Sequence, residues 1–316
     1  MKKLSEIEAW NETEALVDDP GMDDCIAALV YQENVLITMH FQEVRIWSIE
    51  DLPQVKLISV LKLPTSSSNI KLQHNSLYVY ASPLLVIDLS EITQPVISFE
   101  QKIENLGTGY RDDDLFYFAI ENDLVSLDAN GKFETLASVE SYDQFFKSYP
   151  KDVSKVDQTL VVVGRHLGVH IYTQTDSLTW KLQSTHKVGY PPTTIHWEKP
   201  GERMLLIGNS EVIRYDITNR KKPKRHKACK LNKTELCGHY TQKDNEILVA
   251  GNKGAKDKFA AGVIELTQNE IRLVQQPKLT YKVKTNRDTI KTLCVKDDFL
   301  LIVGRESGCF LFKAGE

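Results

Sequence analysis

Seven short apolar blocks recur along the chain: Val35–Thr38, Leu77–Tyr80, Leu115–Phe118, Leu160–Val163, Met204–Ile207, Ile247–Ala250 and Leu300–Val303. Their spacing is roughly forty residues, with a longer last step, a period that belongs to propellers and solenoids. After a few turn-forming residues each block is followed by an alternating or β-branched run, as in Val44–Ile49, Leu85–Leu89, Val169–Tyr172 and Val263–Leu266. Two such runs with a short polar link predict a β-hairpin. Most repeats continue into a third, more hydrophilic run, as in Val55–Val60, Val96–Phe99, Phe133–Leu136 and Leu178–Leu182. Charge and proline there fit an outer edge strand protected against edge-to-edge pairing. A weaker apolar run, such as Cys25–Val30 or Ile290–Val295, precedes most core blocks.

Four strands per repeat, seven times, predict an all-β chain: a seven-bladed β-propeller of four-stranded blades in one domain. The blades fall at about 24–62, 68–101, 103–138, 141–185, 189–230, 234–276 and 288–313 of domain 1–316. A helical solenoid of similar period would instead repeat apolar residues at i, i+3, i+4 and i+7, and such segments are absent. The core blocks are almost continuously apolar because neighbouring blades would cover both faces of the strand. The best internal match sets Val161–Tyr172 against Leu301–Phe312, with glycines at both ends of each turn. The seventh repeat has sequence for only three strands, so an N-terminal strand within residues 5–17 is expected to supply its fourth and close the ring.

Composition agrees with a soluble globular protein: 41% of the 316 residues are hydrophobic and 26% charged, which excludes a disordered or collagen-like chain. No apolar run approaches the roughly 18 residues of a membrane span. The start, Met1 to Trp10, has two lysines but then acids where a signal peptide would need its apolar segment. Cysteines 25, 229, 237, 294 and 309 are odd in number and scattered. A reducing, cytoplasmic setting and a monomer are the expectations.

Charge is distributed unevenly. The net charge is −4, yet Asn219 to Lys233 carries eight cations and no acid. Its first part, with Arg220, Lys221, Lys222, Lys224, Arg225 and Lys227, is a candidate nuclear-localisation-like signal, phosphate-backbone contact or dock for an acidic partner, or else a solvated edge strand guarded by lysines. Nucleic acid is not the expected ligand, because the isoelectric point is acidic and no aromatic residue interleaves the run.

Val44-Arg45-Ile46-Trp47-Ser48-Ile49 resembles the third-strand ending of WD repeats. The stretch from Leu85 to Val96, with its Asp88 step, polar turn and Pro95, resembles the LVIVD repeat of bacterial and archaeal propellers, and Tyr215 to Pro223 repeats that pattern. The resemblance implies the propeller fold rather than any one activity.

Candidate chemistry is sparse. Second-to-third-strand turns of a propeller share a rim, which places Arg165, His166, Arg305, Glu306, Asn209 and Lys253 at one mouth of a channel. Tyr110, Tyr142 and Tyr190 lie on neighbouring segments, and Tyr and Arg dominate binding hot spots. Glu43, Glu121 and Glu306 are the carboxylates available for a metal-dependent, lactonase-like hydrolase, the alternative reading. His226, Cys229, Cys237 and His239 have zinc-ligand chemistry without a usual zinc spacing. The expectation is a non-catalytic interaction module without cofactor, metal or catalytic residues, which docks a protein partner through Arg165, His166, Arg305, Glu306, Tyr110, Tyr142 and Tyr190.

Overall fold

A computed structural model describes residues 3–17, 22, 24–65, 67, 69–103, 106–112, 115–120, 123–128, 131–138, 149–165, 167–176, 179–188, 192–208, 210–231, 234–253, 258–280, 289–306 and 308–315. Seven antiparallel four-stranded cores make the chain a seven-bladed β-propeller. One 3-10 turn, Leu4–Glu6, is the helical element among the described residues. None of those residues forms a helix long and apolar enough to cross a membrane. Two compact units divide the chain: Met1–Val79 with Leu85–Glu100 and Cys229–Glu316, and Tyr80–Leu84 with Gln101–Ala228.

In the first unit, blade 1 is built from Ala27–Tyr31, Val35–His40, Glu43–Ser48 and Gln54–Lys62. Blade 2 comprises Ile70–Gln73, Ser76–Val79, Leu84–Asp88 and Val96–Gln101. Blade 6 comprises Thr234–Lys243, Glu246–Lys253, Lys258–Leu266 and Ile271–Gln275. Blade 7 takes three strands from Ile290–Lys296, Phe299–Gly304 and Cys309–Ala314, and its fourth is Ala9–Thr13, antiparallel to the last. The N-terminal closure expected from the strand count is therefore present.

The same N-terminal segment does more than close blade 7. Lys278–Thr280 adds to Ala9–Thr13 as a parallel fifth strand, and Leu16–Val17 pairs in parallel with Gln54 and Val55 of blade 1. Sequence reading treated residues 5–17 as one strand, but the chain splits there to serve two blades. Gln275 of blade 6 donates its Nε2 to Ile7 O at 2.7 Å. Leu4, Ile7 and Trp10 enter the apolar cluster of blades 6 and 7 with Leu248, Leu300 and Phe312. Cys25, Leu36 and Trp47 join Cys294 and Leu301 in the cluster between blades 7 and 1.

The second unit holds blade 3 (Leu106–Asp112, Leu115–Ile120, Asp123–Asp128, Phe133–Ser138) and blade 4 (Tyr149–Val156, Thr159–Arg165, Gly168–Gln174, Trp180–His186). It also holds blade 5 (Thr194–Lys199, Arg203–Gly208, Glu211–Asp216, Lys224–Arg225). Val161, Val163 and Ile171 of blade 4 pack on Leu206, Ile213 and Tyr215 of blade 5.

The burial pattern follows from blade stacking. Every residue of Val35–His40 is buried, whereas Val96–Gln101 alternates exposed and half-buried positions, as a strand with one wet face must. Gly168 and Gly308 close the two matched hairpins at φ 75° and 71°, a left-handed backbone that a side chain would strain.

Candidate functional site

The motif common to blades 2 and 5 builds the same turn twice. At the end of the third strand Asp88 accepts the Ser90 N–H at 2.9 Å, and Asp216 accepts the Thr218 N–H at 3.0 Å. The residue between, Leu89 or Ile217, is buried. These hydrogen bonds hold both carboxyl groups below the usual carboxylate range, chiefly through the Ser90 N–H in one turn and the Thr218 hydroxyl in the other. Next, Gln94 N bonds Glu91 O at 2.9 Å, and Lys222 N bonds Asn219 O at 3.0 Å. Each turn is then gripped by the fourth strand of the preceding blade. Ser59 Oγ donates to Ile92 O, and Ser184 Oγ to Arg220 O, both at 2.6 Å.

The two turns therefore correspond position by position: Glu91 with Asn219, Ile92 with Arg220, Thr93 with Lys221, Gln94 with Lys222, Pro95 with Pro223 and Val96 with Lys224. In blade 2 the backbone forms with no cation; in blade 5 it carries a run of them. The lysines are thus not a requirement of the turn.

Around the blade 5 turn, Thr173, Gln183, Thr218, Asn219, Arg220 and Lys221 line an open groove of about 480 Å³. Arg220 is half-buried and anchored, its Nε donating to Thr159 Oγ1 at 2.7 Å. Lys221, Lys222, Lys224, Arg225 and Lys227 are exposed. Arg225 approaches Glu211 only at 3.9 Å, and among the described residues no ion pair engages the four lysines. Just two residues here, Lys224 and Arg225, form a strand against Asp216 and Tyr215. Arg220 to Lys222 lie on the turn, while Lys224–Arg225 are the exposed outer strand of blade 5, a short version of the lysine-guarded edge expected from sequence.

Beneath it Arg214, fully buried, makes a two-point contact with Glu198, its Nε reaching Oε2 at 2.6 Å. His226 gives its backbone N–H to Arg214 O at 3.0 Å. Burial, then the nearby Lys224 and Arg214 charges, hold the His226 pKa below its ordinary value.

The remaining candidates are dispersed. Arg305 and Glu306 are exposed on the blade 7 hairpin turn. Tyr110 pairs with Tyr117 on blade 3 and packs against the apolar cluster of blades 3 and 4. Arg165 ends the second strand of blade 4 and Lys253 that of blade 6, with side chains outside the described set. His166, Tyr142, Tyr190, Asn209 and Glu121 lie outside the described residues. Glu43 is buried and ion-paired to Arg45 and Lys62, and the Lys62 contact is the main reason its pKa is lowered. It is a structural acid, already neutralised.

Cys229 is buried, while the side chains of Cys237 and His239 are outside the described set. Among the described residues no three His, Cys, Asp or Glu are placed to hold a metal ion. Burial pushes the Cys294 thiol up to about 12 and raises Cys309 as well, which makes both poor nucleophiles. One feature without a sequence signal is Phe41, 79% exposed at the second-to-third-strand turn of blade 1.

No protein-family model matches the chain, and no curated protein matches it by sequence. Solved structures do match. A functionally unknown protein from Desulfotomaculum acetoxidans DSM 771 superposes with a TM-score of 0.62 at 10% identity, over 87% of this chain and 92% of that one. Kluyveromyces lactis Hsv2p gives 0.58 at 12% identity, over 89% of each chain. The N-terminal domain of Nup159 gives 0.56 at 8% identity, over 97% of this chain and 96% of that one. Nup159 has also been solved in a Saccharomyces cerevisiae assembly with Dbp5 and Gle1. At such identities the likeness is one of fold.

Proposed function

We propose that this protein is a non-catalytic interaction module that docks a protein partner on its surface loops, with the basic turn of blade 5 as the principal contact. The carrying observation is the pair of equivalent turns. Blade 2 forms the turn with Thr93, Gln94 and Val96 at the equivalent positions, so Lys221, Lys222 and Lys224 serve something other than forming the turn. Exposed lysines outside ion pairs add little to stability but steer and select partners of opposite charge. The Nup159 assembly offers a precedent for a propeller held with other proteins. The exposed Phe41 favours a second contact on the rim of second-to-third-strand turns, the class of turn that also carries Arg305 and Glu306.

The experiment is affinity purification from the source cells with the wild-type chain and with a variant carrying the blade 2 residues at three positions of the turn: Lys221→Thr, Lys222→Gln and Lys224→Val. Wild type retains a stoichiometric protein that the variant loses, and both melt alike. Equal retention by the two chains moves the contact away from this turn. The charge-reversed pair Arg165→Glu and Arg305→Glu then tests the rim.

A further inference from the structure

We infer that the groove beside the blade 5 turn receives an acidic, extended peptide segment of a partner protein, carboxylate side chains meeting Arg220, Lys221 and Lys222; this inference rests on the interaction-module reading above. The groove's volume of about 480 Å³ is that of a site for a few side chains rather than for a whole domain. Its walls are polar on both sides: Thr173 and Gln183 from blade 4, Thr218 and Asn219 from blade 5.

Three features select a carboxylate-bearing peptide over other anions. First, three backbone amides of the turn, those of Thr218, Lys221 and Lys222, are already used. Lys221 N and Lys222 N both point to Asn219 Oδ1 at 3.2 Å, and Thr218 N points to Asp216 Oδ1. With those three engaged, fewer donors are left for a compact dianion than a nest of successive free amides supplies. Second, Asp216 stays ionised two residues before Thr218, its pKa lowered by the Thr218 hydroxyl, and would repel a concentrated dianion more than spaced single charges. Third, among the described residues no aromatic side chain lines the groove, so nucleobases have nothing there to stack on. What remains is a set of long cationic side chains on a rigid turn. One of them, Arg220, is pre-oriented by Thr159, which lowers the ordering penalty on binding.

The full-length protein is titrated into a short fluorescein-labelled peptide alternating glutamate with serine, read by fluorescence anisotropy. A glutamine-for-glutamate peptide, inorganic phosphate as competitor and single-stranded oligothymidine serve as comparators. The glutamate peptide is expected to bind, the glutamine peptide not to, and added salt to weaken binding. Lys221→Thr with Lys222→Gln, a pair that leaves the Arg220 anchor intact, is expected to weaken it about fivefold or more without changing the melting temperature. Equal binding of both peptides, unchanged affinity in that variant, or tighter binding of oligothymidine overturns the inference. So does displacement of the peptide by phosphate at matched ionic strength. If the peptide fails while the turn swap still loses its cellular partner, the acidic-peptide assignment falls and the interaction-module reading stands.

Discussion

Ser5 and Glu246, 241 positions apart in the chain, are joined by two hydrogen bonds: the Ser5 N–H reaches Oε2 at 3.1 Å and its hydroxyl donates to Oε1. Glu246 is 5% exposed, so these donors replace water for a carboxylate at the start of blade 6's second strand. Ser5→Ala removes one of them and is expected to destabilise the fold by about 1–3 kcal/mol. Urea denaturation should show a lower midpoint at an unchanged m value. An unshifted midpoint would mean that this bond contributes nothing to the native state.

Trp10 seats the closing strand. It is 1% exposed and packs in the cluster that includes Leu248, Leu300 and Phe312. Trp10→Ala should cost about 3–5 kcal/mol, and deletion through Val17 should uncover the edge of Cys309–Ala314. The deletion variant is expected to aggregate, because an unpaired strand edge templates association. Size-exclusion chromatography with light scattering decides this: a monomeric deletion variant that melts like the full chain defeats the closure argument.

Glu198 balances the one arginine in the structure that is fully buried among the described residues. Glu198→Ala strands Arg214 without a counter-charge and is expected to lose about 3–5 kcal/mol. The double substitution Arg214→Met with Glu198→Leu should recover most of that loss. A double variant as unstable as Glu198→Ala would show that the pair is irreplaceable for shape as well as charge.

Acid sensitivity should centre on His170. Its ring is buried, stacks on Tyr172 with centroids 6.3 Å apart, and approaches Leu167 O through Nε2 at 3.1 Å. Burial holds its pKa down to about 4, from an ordinary 6.5. The unfolded chain therefore takes up this proton first as the pH falls. The neutral ring's contribution is whole above about pH 6.5 and disappears progressively toward pH 4, a loss on the order of 3 kcal/mol. His186, also lowered by burial, acts in the same direction. Glu43, Asp88 and Asp216, whose pKa values are lowered from 4.5 or 3.8, lose their contributions only at more acid pH. Urea midpoints measured from pH 7 down to pH 4.5 should fall, and His170→Gln should flatten that slope. An unflattened slope would assign it to other groups.

Period and polarity made the blades legible before any coordinates. Val161–Val163 and Leu300–Val303 are fully buried because strands covered on both faces need no polar positions. Asp88 and Asp216 were also readable, since an Asp that caps its own turn leaves a fixed offset to a following proline. Less was visible at the site. The cations of residues 220–227 stood out by composition, but the turn that carries Arg220 to Lys222 depends on a hydrogen bond accepted by Asn219 and one donated by Ser184 that no pattern announces. Thr173 and Gln183 belong to another blade, and nothing in their neighbours' sequence marks them as a groove wall. Phe41 likewise reads as an ordinary apolar residue until its exposure is known.

Strand Ala9–Thr13 is made early and its partner Cys309–Ala314 late. With about 300 residues translated in between at roughly 5–20 residues per second, the first strand waits on the order of 15–60 s for its partner. Blades 1 to 6 can be assembled during that interval, but blade 7 cannot. Until then the strand lacks its antiparallel partner on the ribosome-bound chain and is open to capture by Cys309–Ala314 of another copy on the polysome. The period of greatest hazard is thus set by the pace of synthesis, and codon-level slowing late in the message should lower the yield of folded protein even though it changes no residue.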